Sequence, residues 1–160
     1  MKQKWKTWKP YIISSLISLA VGVLSGLLSM DGIVFFSQSV LQPVLSPPAW
    51  LFPVVWTILY TLMGISAARI WFLPAGQTRE QGLNLYVSQL IVNFFWSLIF
   101  FNAQAYGFAV IWLLLLWVLV FLMIRSFNKI DKKAALLQIP YLIWLMFAAY
   151  LNIGVWILNR

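Results

Sequence analysis

Ser46-Pro47-Pro48-Ala49-Trp50-Leu51-Phe52-Pro53-Val54-Val55-Trp56-Thr57-Ile58-Leu59-Tyr60-Thr61-Leu62-Met63-Gly64 sets three prolines at the entry to an apolar helical run faced with aromatic rings. Proline carries no amide donor and fixes its own φ, so Pro47, Pro48 and Pro53 stiffen the chain where backbone donors are scarce. Trp56, Tyr60 and Gly64 then fall four residues apart, on one face of a helix. The segment reads as one wall of a cavity with a rigid mouth.

Composition identifies the solvent around that helix. The chain is 63% hydrophobic and 9% charged, with three carboxylates in 160 residues. A soluble domain carries roughly 25% charged residues. Here apolar runs of about 20 residues recur, the length that crosses a hydrocarbon core of roughly 30 Å. Five such spans are predicted, at about 11–29, 49–72, 83–102, 106–126 and 134–158, leaving no room for a second domain. The expected fold is an all-α membrane protein, a five-transmembrane-helix bundle in one domain over 1–160.

The charges segregate as that count requires. With five alternating spans, the amino terminus, the 73–82 and 127–133 loops and the adjoining helix ends share a side and hold Lys2, Lys4, Lys6, Lys9, Arg69, Arg79, Arg125, Lys129, Lys132 and Lys133, against Arg160 alone opposite. Cytoplasmic segments concentrate Lys and Arg, so the amino terminus is expected in the cytoplasm, with the 30–48 loop and the carboxyl terminus outside. Net charge +8 thus reflects orientation in a bilayer. No basic-aromatic interleaving on a soluble face suggests nucleic acid.

Lys2 to Lys9 ahead of an apolar run resemble a secretory signal, but the run exceeds the usual apolar region of roughly 7–15 residues and no small-x-small cleavage site follows, so a retained helix is expected. Ser14, Ser18, Gly22 and Gly26 recur every fourth residue in it, a small-xxx-small ridge along which another helix can approach. A neighbour in the same chain is favoured over a second copy. Residues 30–48, with Asp31 and Pro43, are too apolar for a free linker; they are expected either to fold over one end of the bundle as a lid, with a short interfacial helix, or to form an ordinary surface loop.

Cysteine and histidine are both absent. That removes thiol nucleophiles, imidazole bases and the usual zinc and haem ligands, so no metal site is expected. Asp31, Glu80 and Asp131 fall in predicted loops or span ends, leaving no intramembrane carboxylate for a proton relay or cation-coupled transport. Inside the spans stand neutral polar groups among aromatics. Gln89, Asn93 and Ser97, with Trp96 beside them, share one face of the third span, and Tyr141, Trp144, Ala148, Asn152, Trp156 and Asn159 share one face of the fifth. Each stripe alone can be interhelical packing. Three aromatic-polar faces together suit a ligand pocket, which is an apolar concavity with a few placed polar groups. The fourth span, with Trp112, Trp117 and Phe121, is expected to face lipid or a second copy.

These residues resemble the tryptophan-rich sensory protein family, also called the translocator protein or peripheral-type benzodiazepine receptor (TspO/MBR) family, bacterial type. The likeness runs in order through Pro47-Pro48, Phe52, Trp56, Leu59-Tyr60 and Met63-Gly64; Asn93, Trp96-Ser97 and Phe100-Phe101; and Pro140-Tyr141, Trp144, Phe147-Ala148, Leu151-Asn152, Trp156 and Leu158-Asn159. It implies a five-helix homodimer in the bacterial cytoplasmic membrane with a pocket under the first loop. Trp56, Asn93, Trp96, Trp144, Phe147 and Ala148 would line the pocket, with Pro47, Pro48 and Phe52 at its mouth; Tyr60 and Asn152 join them from the stripes. The implied ligand is a porphyrin of the protoporphyrin IX kind or another planar apolar molecule, with no cofactor required. It implies as an alternative a light-dependent breakdown of porphyrin using Trp56 and Trp144. Two positions depart from the pattern. Leu45 stands where many members carry tryptophan. The carboxyl-terminal sterol consensus is incomplete, since Tyr150 has no Lys or Arg within five residues and Ile153, Gly154 and Ile157 replace the polar and aromatic positions of sterol binders, so a tetrapyrrole is expected over a sterol.

Overall fold

The computed structural model describes the backbone of residues 2–160 and the side chains from Trp8 onward, and within them the regular structure is helical throughout. The helices are α1 (Lys2–Leu28), α2 (Met30–Ser39), α3 (Leu51–Trp71), α4 (Gln77–Ser97), α5 (Tyr106–Asn128), α6 (Lys132–Leu136) and α7 (Ile139–Leu158), with a π-helical turn, Leu98–Asn102, ending α4. Five stretches are long and apolar enough to cross a membrane: Trp8–Leu28, Leu51–Trp71, Gln77–Asn102, Tyr106–Asn128 and Lys132–Leu158. They fall where the sequence places them, because apolar length is the signal that decides a span.

The bundle is inside out relative to a soluble protein. Ile12, Ile13, Leu16 and Ile17 of α1 and Ile111, Leu114, Leu115 and Val118 of α5 are exposed, on faces that lipid would cover. Ser18, Ser29, Ser66, Gln89 and Asn152 are fully buried alongside Met63, Ile70, Leu113, Val120, Met123, Phe127 and Leu145. In hydrocarbon a polar side chain has no water to turn to, so it faces a neighbouring helix.

α1 packs along α3 and reaches α4, so its small residues serve contacts within the chain. The Ser15 hydroxyl donates to the Thr61 carbonyl at 3.3 Å, Ser18 shares a hydrogen bond with Tyr86, and Ser25 donates to the Phe94 carbonyl at 2.9 Å. The inward stripe is buried Ser18, Ser25 and Ser29 with half-buried Gly22 against Tyr60, not the expected four-residue ladder ending at Gly26. A strict spacing of four drifts about 40° per step around a helix of 3.6 residues per turn, and alternating steps of four and three cancel that drift.

The same drift splits the expected wall on α3. Trp56 turns toward α7, Tyr60 lies against Gly22 of α1, and Gly64 meets the α1 backbone at Ser14 and Ser15. Gly64 is therefore a crossing point between helices and no part of a cavity wall.

Three further expectations change. The fourth span is not simply a lipid face: α5 packs on α4, α6 and α7 and buries Ala109, Leu113, Leu116, Val120, Met123 and Phe127. The buried face is mainly apolar, with Trp112 Nε1 and the Ser126 hydroxyl donating to the Val92 and Thr78 carbonyls of α4. The fifth span is two helices, α6 and α7, separated by a turn at Leu137 and Gln138. Pro140 lacks the amide that would bond back to the Leu136 carbonyl and continue the helix, and it sits in the first turn of α7, where no such amide is needed. α4 starts at Gln77, six residues earlier than 83, because a polar first turn outside the hydrocarbon can still be helical.

One end of the bundle is basic. Arg69 pairs with Asp131 at 2.7 Å, Arg79 stacks over Trp71 at 4.9 Å and donates to its carbonyl, and Ser126 donates to the Thr78 carbonyl. The opposite end carries α2 and residues 40–50.

A methyl group on Gly64 would run into the Ser15 and Ser14 backbone, whereas one on Gly26 meets nothing within 4 Å. Gly64→Ala should therefore destabilise the bundle by about 1–3 kcal/mol, the usual cost of overpacking, while Gly26→Ala leaves the melting temperature in detergent unchanged or slightly raised, since alanine favours helix over glycine. Equal melting curves for the two variants would show that α1 and α3 do not cross tightly at Gly64.

Candidate ligand site between the third, fourth and seventh helices

The seam between α3 and α7 is closed by aromatic side chains. At the basic end α3 packs on α6, where the buried Ser66 hydroxyl donates to the Ala134 carbonyl at 2.8 Å. Beyond the break before Pro140 no comparably extensive backbone approach joins α3 to α7. Aromatic rings span the space instead. Phe52 meets Trp144 edge-on with centroids 6.0 Å apart, and Trp56 meets Tyr141 at 6.2 Å while lying 5.4 Å from Tyr60. Trp144 continues to Phe147 at 5.5 Å. Phe52, Trp56, Trp144 and Phe147 are half-buried; Tyr60 and Tyr141 are buried.

Behind the rings lies a buried polar chain. Asn93 Nδ2 donates to the Tyr141 hydroxyl at 2.8 Å, and that hydroxyl donates to Gln89 Oε1 at 3.1 Å. Toward the lid end of α4, Trp96 Nε1 donates to Asn152 Oδ1 at 3.3 Å and Asn152 Nδ2 donates to the Tyr106 carbonyl at 2.9 Å. The buried amides of α4 and α7 thus tie these two helices together, and Asn152 also ties α7 to α5. Ala148, buried on α7, is the small residue among these rings.

The π-helical turn aims the next aromatics. Ala103 N–H reaches back to the Leu98 carbonyl, and the extra residue in the turn rotates the side chains it carries, so that Phe100 stacks on Trp96 (5.0 Å, 19°) and meets Tyr106 edge-on at 5.2 Å. Such turns are frequent where a helix presents side chains for a purpose.

The lid is built of α2 and the strap after it. Phe36 meets Phe100 and Phe101, each at 5.3 Å, and Gly32 sits so close to α4 that a Cβ there would lie 2.6 Å from the Phe101 carbonyl. Leu41 N–H donates to Asn159 Oδ1 at 3.0 Å, and Asn159 Nδ2 donates back to the Leu41 carbonyl at 2.8 Å. Pro43 lies over Gly154. Of the two readings left open for 30–48, this is the fold-back with a short helix. Past the latch the strap is open: Val44 and Leu45 are 97% and 66% exposed, Pro48 is exposed and Pro47 half-buried.

The structure thus gathers Phe52, Trp56, Trp144, Phe147 and Ala148 around the α3–α7 seam, with Asn93, Trp96 and Asn152 on the adjoining α4–α7 seam and Tyr60 beside Trp56 but turned against α1. Pro47 and Pro48 stand in the strap just before α3. The rings fill the seam themselves. Two concavities lie elsewhere, of about 430 Å³ beside α3 and α6 and about 360 Å³ at the α3–α4 loop, and neither is lined by these residues. Gln89, Tyr141 and Phe100 adjoin these residues without having been expected in the site: Gln89 and Tyr141 stand in the polar stripes, and Phe100 in the Phe100-Phe101 pair of the family resemblance.

The TspO/MBR family model matches residues 14–157, so the likeness includes α1 and begins well before the proline pair. The chain is 35% identical over 146 residues to a tryptophan-rich protein TspO of Chlorobaculum tepidum, covering 89% of this chain and 91% of the relative. It is 40% identical over 123 residues to protein CrtK of Rhodobacter capsulatus, covering 76% and 77%. Against the human translocator protein the identity is 36% over 117 residues, covering 72% and 69%.

Tyr141→Phe removes the hydroxyl that joins Asn93 to Gln89 and leaves two buried amides short of a partner. It should destabilise the protein by about 1–3 kcal/mol, read as a lower melting temperature in detergent. In Asn93→Leu/Gln89→Met protein the same change should cost far less, and an equal cost in both backgrounds would show that the chain does not act as a unit.

Proposed function

The chain belongs to the TspO/MBR family of integral membrane proteins, and on that premise we propose that it binds flat, largely apolar rings of the porphyrin kind between α3 and α7, as a receptor or sensor. One observation carries this reading. The α3–α7 seam is closed by rings, half-buried Phe52 against half-buried Trp144 and half-buried Trp56 against buried Tyr141, with little backbone packing. A planar ligand can replace ring-to-ring contacts with ring-to-ligand contacts of the same kind, each about 0.5–1.5 kcal/mol beyond the area buried. Ala148 leaves room beside Trp144, and Asn93 has an amide hydrogen beyond the one given to Tyr141, available to a ligand carboxylate or carbonyl.

In the same reading the basic end faces the cytoplasm, following the charge segregation, and the lid faces outward. A second copy of the chain would use an exposed apolar face such as Ile111, Leu114, Leu115 and Val118 of α5.

Trp144→Ala should weaken protoporphyrin IX binding roughly tenfold, equivalent to about 1.4 kcal/mol, and Asn93→Ala should weaken it several-fold, with far-ultraviolet dichroism unchanged. Titration by quenching of tryptophan fluorescence measures both, and wild-type affinity in the two folded variants would refute the site. Asn159→Ala cuts the latch to Leu41 without touching the rings. It should raise association and dissociation rates together, leaving affinity within about threefold, because each 1.4 kcal/mol is tenfold and the latch contacts no ligand. Unchanged stopped-flow rates would mean that the strap does not gate entry.

A further inference from the structure

The concavity of about 430 Å³ lies on the flank of the bundle at its basic end, where the break between α6 and α7 carries the chain away from α3. Leu62 and Ile65 of α3 and Leu136 and Pro140 beside the break form its walls, and Arg69 and Lys133 stand at one end of it. From Leu62 to Arg69 the groove follows α3 for roughly 10 Å at about 1.5 Å per residue. Leu136 and Pro140 are exposed, so the groove opens on the surface that lipid covers.

Its charge is not neutralised within the protein. Asp131 is fully committed: one oxygen pairs with Arg69 and the other accepts from the Lys133 and Ala134 amides as the cap of α6. Arg69 and Lys133, the two cations of the groove, against Asp131 leave one net positive charge. Arg69 Nε is buried without a hydrogen-bond partner. The rest of its side chain is about one-third exposed, so the guanidinium keeps donors beyond the one given to Asp131.

We propose that this groove is a binding site for an anionic diacyl phospholipid, with its phosphate held between Arg69 and Lys133 and the upper part of one acyl chain lying along Leu62, Ile65 and Pro140. Apolar walls with a cationic end match the two halves of such a lipid, and a zwitterionic lipid of the same chains would gain less from the cations. The site is separate from the ring-filled seam and does not depend on what binds there.

Native mass spectrometry of the detergent-purified protein, exchanged into an equimolar mixture of dioleoyl phosphatidylglycerol and dioleoyl phosphatidylcholine, tests the assignment. Wild-type protein should retain the anionic lipid in roughly fivefold excess, as expected for one or two cations beside the phosphate. Lys133→Gln, at an exposed position, should cut that excess to twofold or less, whereas Lys129→Gln, on the same end but outside the groove, should leave it intact. Ile65→Trp should lose the adduct by filling the groove while both cations remain. Equal retention of the two lipids by wild type would overturn the proposal. So would an equal loss in Lys129→Gln, which would mean diffuse attraction to a basic end. Retention in folded Ile65→Trp protein, or full displacement by inorganic phosphate, would mean a headgroup contact with no acyl groove.

Discussion

Lipid gives helices no hydrophobic reward for pressing together, so seams in this bundle are held by close approach and by hydrogen bonds that cross from one helix to the next. Ser15 ties α1 to α3, Ser18 and Ser25 tie it to α4, Ser66 ties α3 to α6, Trp112 Nε1 ties α5 to the Val92 carbonyl of α4, Asn93 ties α4 to α7, and Asn152 ties α7 to α5. Among the described residues α3 and α7 share no such bond. Their seam is made of rings alone, and it is there that the implied ligand residues gather.

That distribution explains why small and amide side chains cost so little to keep inside. A buried Ser, Asn or Gln in hydrocarbon is expensive only when unpaired, and nearly every one here is paired to a carbonyl or hydroxyl on another helix. Gln138 and Ser29, buried with side chains that have no partner, are exceptions at the two ends of the bundle. The π-turn and the tight connection after it, where Gln104 takes a left-handed φ of 52°, are local departures from regular backbone that place Phe100 against Trp96. Left-handed backbone at a non-glycine residue is uncommon and costs about 1 kcal/mol or more, so it persists where packing on both sides over-determines it.

The five spans were legible because each is a run of apolar residues bounded by prolines, charges or a polar loop, and no tertiary contact can erase a signal of that length. The polar stripes of α4 and α7 were legible as faces, since Gln89, Asn93, Tyr141 and Asn152 do lie inward; their pairing with one another was not, because period alone does not say which inward face meets which. Gly64 and Gly26 misled for a shared reason: each step of four drifts about 40° around the helix, so two steps from Trp56 and three from Ser14 already leave the starting face. The burial of α5 was missed because its core face consists of Leu, Val and Met, which look the same toward lipid as toward protein. The break at Leu137 and Gln138 was written in Pro140 and was overridden by the apolar run around it.

The contrast between seams sets how the protein could admit a flat ligand. Parting α4 from α7 would break the Asn93–Tyr141–Gln89 chain and strand several buried polar atoms, each costing about 1–3 kcal/mol. Parting α3 from α7 forfeits two edge-on ring contacts at about 0.5–1.5 kcal/mol apiece, and the ligand's own face restores them. An opening cost of that order leaves the open seam populated at roughly the per cent level, so affinity is reduced by that fraction instead of being abolished. The α6 contact through Ser66 and the Arg69–Asp131 pair pin α3 at the basic end, which leaves movement to its lid end, where Phe52 and the proline strap sit. Stiff prolines at that position make physical sense: they let the amino-terminal end of α3 shift as one piece with the strap, so that the mouth and the aromatic wall open together.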